Sequence, residues 1–218
     1  MPNIQLLHID CMEYMATLPD KCFELAIVDP PYGLGDSVVN SGGRFKRYEN
    51  KNGNWDNEIP DDKYFKELFR ISNNQIIWGG NYFSLPKTKC FLIWDKKQPE
   101  TVSFASCEYA WTSFNNIAKT FYQKPQGQVN RFHPTQKPIA LYKWLLTNYA
   151  KKGYRILDTH GGSRSLAIAA YDLGFDHVSC ELDLDYHNES KARFESHVAK
   201  YAPANEIAVN KENQIKLF

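Results

Sequence analysis

Two stretches of the chain concentrate residue types that do chemistry. The first is Asp29-Pro30-Pro31-Tyr32, which closes the apolar run ELAIVD (24–29). A run of that kind stopped by two prolines reads as a strand. Side chains at the C-terminal end of such a strand face the ligand crevice of an open sheet. Two prolines fix the backbone so that the Asp29 carboxylate and the Pro30 carbonyl point the same way. That pair can accept two hydrogen bonds from one exocyclic amino group. Tyr32 can stack on the ring carrying the amine. The alternative is a proline-stiffened loop with an Asp cap, although strand–DPPY–glycine is a sharper signal than DPP alone.

The second stretch is RILDTHGGSRSLAIAAYDLGFDHVSCELD (155–183). It reads as strand, glycine-rich turn, helix, strand, the first βαβ unit of a nucleotide-binding sheet. Asp158, Thr159, Gly161, Gly162 and Ser163 form the turn. Glycines let the backbone approach a ligand, and a helix N-terminus offers free N–H groups. Glu181, ending the second strand with Leu182 beside it, is placed to grip two ribose hydroxyls. The turn is not GxGxxG, so a dinucleotide pyrophosphate is a weaker fit. A plain tight βα turn is the alternative.

The elements needed to hold these stretches follow from periodicity. Ile4 to Ile9 reads as a strand, followed by Asp10 as an N-cap and a short helix to about Pro19. Tyr64 to Ile71 looks helical. Gln75 to Trp78, Phe91 to Trp94 and Glu108 to Phe114 read as short strands. Pro138 suits the first residue of a well-buried helix running to about Ala150. Arg155 to Asp158 and Val178 to Leu182 are strands. Leu166, Ala169, Ala170 and Leu173 make a helical stripe that Gly174 caps. Phe194, Val198 and Tyr201 mark a final helix. Residues 33 to 58 are loop-like and long enough to suggest function. Strands alternating with helices imply an α/β fold with a mainly parallel sheet. One domain spanning about 1–203 is expected, with a tail at 204–218 and no internal repeat.

Composition narrows the class. The 218 residues are 43% hydrophobic and 14% aromatic, which excludes a disordered or fibrous chain. No apolar run suits a membrane span, and the first twenty residues do not read as an export signal. Five scattered cysteines without a CxxC pair read as reduced thiols of a cytoplasmic protein, not as a disulfide framework or zinc site. The six histidines show no ligand spacing, so no metal is expected. No GxSxG elbow suggests a hydrolase.

A net charge of +1 argues at face value against a nucleic-acid partner, but it is an average. Residues 1–108 hold 12 basic and 15 acidic side chains, and residues 158–218 hold 6 and 10. Residues 109–157 hold 8 basic side chains and no acid. With the aromatics interspersed there, this fits a surface that meets phosphates and bases. A solvated face whose acids lie elsewhere in three dimensions fits equally.

Taken together, the residues resemble the β class of DNA amino-methyltransferases, which use S-adenosylmethionine. The resemblance covers nearly the whole chain. IQLLHIDCMEY (4–14) looks like the family's opening strand, which implies that Asp10, with Cys11 beside it, meets the cofactor adenine. DPPYG (29–33) is similar to the catalytic motif, which implies catalysis by Asp29, Pro30, Pro31 and Tyr32. HPTQKP (133–138) looks like the segment wrapping the methionine end. It brings His133, Pro134, Thr135 and Lys137 toward the cofactor, with a surface charge at the helix start as the alternative for Lys137. DTHGGSRS (158–165) stands where the family has Asp-Pro-Phe and Gly-Ser-Gly. The motif order implies a circularly permuted, Rossmann-like sheet, mostly parallel with an antiparallel edge strand and helices on both faces. Thr159-His160 and Arg164 depart from the pattern; Arg164 would narrow the methionine pocket or point to solvent.

The resemblance implies methylation of the exocyclic N6 of an adenine flipped out of double-stranded DNA. Asp at the head of DPPY leans toward adenine; cytosine N4, or a non-catalytic relative, is the alternative. Arg44, Lys46 and Arg47 in the long loop, and Lys119, Lys124 and Arg131 in the basic segment, are expected on DNA phosphates. A homodimer and a cognate restriction enzyme are compatible partners. The little chain left over for reading bases suggests a short or relaxed recognition sequence.

Overall fold

The structure, a computed structural model, describes residues 1–34, 59–99, 101, 105–125 and 136–201. Among these residues the framework is one sheet of eight strands: β1 (Ile4–His8), β2 (Phe23–Val28), β3 (Ser72–Trp78), β4 (Phe91–Asp95), β5 (Cys107–Thr112), β6 (Lys119–Tyr122), β7 (Arg155–Asp158) and β8 (Asp176–Glu181). They lie in the order β1-β8-β7-β2-β3-β5-β4-β6. The pairs from β1 through β3 are all parallel. β5 runs antiparallel to both β3 and β4, and β6 then pairs parallel with β4. The sheet is therefore mostly parallel, as expected, with its antiparallel member toward one edge. β6 escapes sequence reading because its four residues alternate half-buried and exposed between polar neighbours.

Among the described residues, five α-helices accompany the sheet: α1 (Cys11–Ala16), α2 (Asp62–Ile71), α3 (Ile139–Tyr149), α4 (Ser165–Leu173) and α5 (Leu184–Tyr201). Local chemistry sets their ends. The Asp10 carboxylate accepts the N–H groups of Met12 at 2.6 Å and Glu13 at 3.3 Å, capping α1. Asp61 does the same for α2. Gly174, left-handed, closes α4. Pro138 is the N-cap of α3 and not its first helical residue, because its ψ of 141° is extended. None of the helices among the described residues is long and apolar enough to cross a membrane.

Helices cover both faces. Leu25, Ile27, Ile76, Trp78, Leu92 and Trp94 pack with Leu141, Leu145, Leu166 and Ala169 of α3 and α4. Phe23, Ala26, Val28, Ile77 and Leu157 pack with Met15 of α1 and Phe65 and Leu68 of α2. From Leu25 to Val28, alternate residues of β2 enter opposite cores, as strand geometry requires. The chain leaves β7 toward β8 on one side and β2 toward β3 on the other. That reversal opens a crevice at the C-terminal ends of β7 and β2, where open α/β sheets bind ligands.

Candidate active site

Asp29 follows β2 directly, and Asp158 ends the neighbouring strand β7. The two acidic motifs, 129 positions apart in sequence, thus meet at one crevice. The Tyr32 hydroxyl donates to Asp29 Oδ1 at 2.5 Å. Lys137, just before the N-cap of α3, donates to Asp29 Oδ2. Its ammonium lies 3.0 Å from Glu108 Oε2, and Glu108 Oε1 pairs with Lys96 at 2.9 Å. The result is a chain of alternating charges: Asp29, Lys137, Glu108, Lys96.

Lys137 is only 2% exposed, so it is not a surface charge; its ammonium lies in a buried cluster with Asp29 and Glu108. Burial works against its charge, but Asp29 and Glu108 outweigh burial and hold it above the ordinary lysine value. Burial likewise works against Glu108, while Lys137 and Lys96 keep its carboxyl below the usual range. Burial, then the Asp29 and Glu108 charges, push the Tyr32 phenol well up, so it stays a hydrogen-bond donor. The Lys137 ammonium also lies 5.3 Å from the Trp78 ring centre.

Tyr32 is seated by the turn after β3. Its ring stacks on Tyr82 with centres 5.0 Å apart and planes 17° from parallel, and Phe83 meets its edge. Gly79, at φ +69°, lies so close that a Cβ there would fall 2.1 Å from Tyr32 Cε1. Sequence reading missed Glu108, Gly79 and Tyr82. Glu108 is one acid in an ordinary strand, and only the antiparallel placement of β5 brings it to Lys137. The paired glycines ending the apolar strand QIIW were the available signal for the turn.

At the glycine-rich turn, Gly162 N–H donates to Glu181 Oε2 at 2.7 Å, and Asp183 N–H to Oε1 at 3.0 Å. Gly161 N–H donates to the Cys180 carbonyl at 2.7 Å. Glu181 therefore ties the turn to β8 and keeps acceptor capacity, since each carboxylate oxygen takes more than one donor. Leu182, 67% exposed, offers an apolar face next to it. Asp10 and Cys11 follow β1, the strand paired with β8. Burial and the Asp10 charge push the Cys11 thiol up to about 12, so it is a neutral wall and not a nucleophile.

The departures at 159, 160 and 164 have structural partners. Thr159 Oγ1 shares a hydrogen bond with Tyr64 of α2 at 2.7 Å and another with His160 Nδ1 at 2.9 Å. Burial lowers the His160 pKa to about 4, so it is neutral. Burial raises Asp158 to about 7, with the nearby Asp29 charge adding to it. Ser163 gives its carbonyl to Arg193 of α5. Arg164 neither points to solvent nor lines an open pocket: it is fully buried beneath the turn.

The expected DNA contacts scatter. Lys119 bonds Asn148 at 3.0 Å, at the end of α3 remote from Lys137. Lys124 is exposed and follows β6 on the sheet edge shared by Asp95 and Glu108. Arg44, Lys46, Arg47, Arg131, His133, Pro134 and Thr135 lie outside the described residues. The acid-free segment is partly balanced in three dimensions, because Lys137 meets Asp29 and Lys143 meets Asp172. No group of three or more His, Cys, Asp or Glu among the described residues could hold a metal ion.

Residues 77–192 match the DNA methylase family of N6 and N4 enzymes. The Type II methyltransferase M2.MboI of Moraxella bovis is 23% identical over 242 residues, covering 88% of each chain. The solved M1.HpyAVI–SAM complex is similar with a TM-score of 0.59 at 19% identity, over 87% of this chain and 99% of that one. PvuII DNA methyltransferase (cytosine-N4-specific) reaches a TM-score of 0.63 at 11% identity, over 99% and 93%. These structures establish a shared fold.

Proposed function

Given that the chain belongs to the DNA methylase family, we propose that it moves a methyl group from S-adenosylmethionine to the exocyclic N6 of an adenine flipped out of duplex DNA. The observation that carries this is the meeting of Asp29 and the glycine-rich turn at adjacent strand ends. An amine held by Asp29 would lie next to a cofactor held by the turn.

The residues fit S-adenosylmethionine. Gly161 and Gly162 admit close backbone approach, Glu181 can accept ribose hydroxyls, and Asp10 stands at the adjoining strand end for the adenine amine. When bound, the cofactor supplies an electrophilic methyl group. The exocyclic amine is a poor nucleophile because its lone pair is delocalised into the ring. The Asp29 carboxylate and the Pro30 carbonyl would accept hydrogen bonds from its two N–H groups and favour a nitrogen whose lone pair is free. Lys137 and Tyr32 hold the carboxylate still for that purpose, so positioning accounts for much of the rate. Asp29 need not be a strong base, since the proton can leave after methyl transfer. Tyr32 and Tyr82 supply aromatic surface for the flipped ring. Adenine is favoured over cytosine by the aspartate heading DPPY.

Nucleoside analysis of DNA treated with the enzyme and S-adenosylmethionine tests this. N6-methyladenine is the expected product. N4-methylcytosine would overturn the choice of base, and unmodified DNA the assignment itself.

A further inference from the structure

Arg164 occupies the N-cap of α4 with φ +57°, in the left-handed region. A side chain there is strained, and glycine would relieve the strain. The arginine is nevertheless fully buried. Something its side chain does must offset the backbone conformation.

The side chain reaches three elements. Its Nη2 donates to the Leu7 carbonyl of β1 at 3.2 Å and lies 3.3 Å from Nδ1 of His187 in α5. Burial and the Arg164 charge keep that histidine's pKa low, so its ring is neutral and can accept. The guanidinium also lies against the turn, since a Cβ on Gly161 would fall 2.3 Å from Nη1 and 2.6 Å from Cζ. Arg164 and Ser179, whose Oγ would lie 2.6 Å from that Cβ, together fill the space a side chain at Gly161 would need. Asp158 and Glu181, the acids bordering the turn, both act electrostatically on this cation. Leu7 lies three residues before Asp10, so the arginine joins the glycine-rich turn to the strand that leads into Asp10.

We infer that Arg164 is a positioning residue for S-adenosylmethionine: its buried guanidinium fixes the Gly161–Ser163 turn and its Glu181 tie relative to the end of β1. This rests on the function proposed above. It makes the chain's departure from a third glycine a replacement of one way of shaping the turn by another, and not a mark of a dead pocket.

Calorimetric titration of the full chain with S-adenosylmethionine tests it, alongside steady-state KM values for cofactor and DNA. Arg164→Met keeps bulk without charge, and Arg164→Gly relieves the backbone. Both should weaken cofactor binding roughly 10- to 100-fold, the loss expected for hydrogen bonds to a charged group, and leave the KM for DNA unchanged. Arg164→Lys should bind more tightly than Arg164→Met and less tightly than wild type. Gly161→Ala should lose cofactor binding through its clash, and adding Arg164→Gly to it should restore part of the affinity. Should Arg164→Met and Arg164→Gly fail to fold, the lysine variant and the double variant carry the same readout. Unchanged cofactor Kd in the arginine variants overturns the inference, as does a loss of cofactor and DNA binding in equal measure, which marks a merely structural role. Failure of the wild-type protein to bind S-adenosylmethionine would instead overturn the underlying functional reading.

Discussion

Lys137 reaches Asp29 across 108 positions of sequence, bonding Oδ2 while Tyr32 holds Oδ1. Both oxygens of the acid are thus fixed by donors, and the lone pairs that remain are aimed by those two contacts. Glu108 draws on the same ammonium from the other side. The Asp29 carboxylate is set by an ion-pair chain that runs through Lys137 to Glu108 on the antiparallel strand β5.

Lys137→Met leaves two carboxylates at one site without their shared cation. Removing one member of a buried pair costs about 3–5 kcal/mol. Lys137 has a raised pKa, so its contribution is full below the ordinary lysine value and is lost as pH rises through the folded one. Glu108 has a lowered pKa, so its contribution is full above the ordinary carboxylate value and is lost as pH falls through the folded one. The stability lost in the variant should therefore stay full from neutral pH down to the ordinary carboxylate value, about pH 4, and shrink below it. Urea unfolding at several pH values checks this, and a pH-independent loss would reject the ion-pair account.

Asp158 carries the opposite sign. Its folded pKa of about 7 exceeds the ordinary carboxylate value, so the folded state binds the extra proton between these limits. Stability from this group should fall as pH rises from about 4 to 7. Asp158→Asn removes that dependence and should be more stable relative to wild type at pH 8 than at pH 5. Thermal unfolding at the two pH values reads the difference.

Gly79→Ala tests how Tyr32 is seated. The new methyl would overlap the Tyr32 ring, and the position is left-handed. The variant should lose about 100-fold or more in kcat through misplacement of the Asp29–Tyr32 pair, with S-adenosylmethionine affinity retained. Wild-type kcat would show that the close approach has no functional consequence.

Replacing Arg44, Lys46 and Arg47 together should weaken DNA binding and flatten its salt dependence by roughly 0.9 for each phosphate no longer neutralised. Titrations at several salt concentrations measure the slope, and an unchanged slope removes these residues from the interface.

The parts of the site that are legible in sequence are those with local punctuation. Pro30-Pro31 ends an apolar strand at Asp29, and Gly161-Gly162 with Glu181 marks a βαβ unit, so both motifs and the parallel sheet follow from short-range pattern. The pairing of Lys137 with Asp29 and Glu108 is not legible, because its neighbours in sequence belong to the HPTQKP segment. Its partner Glu108 comes from β5, and nothing local records that β5 runs antiparallel beside β3. Arg164 misleads for the same reason: its three contacts lie on β1, α5 and the turn, and only the fold brings them together. Long-range charge pairing is what the one-dimensional pattern does not carry.

The most direct measurement compares wild type and Asp29→Ala for nucleoside products in treated DNA, with calorimetry of S-adenosylmethionine binding on the same preparations. The account predicts N6-methyladenine from the wild type, none from the variant, and similar cofactor affinity in both. Methylation by Asp29→Ala at the wild-type rate would contradict it.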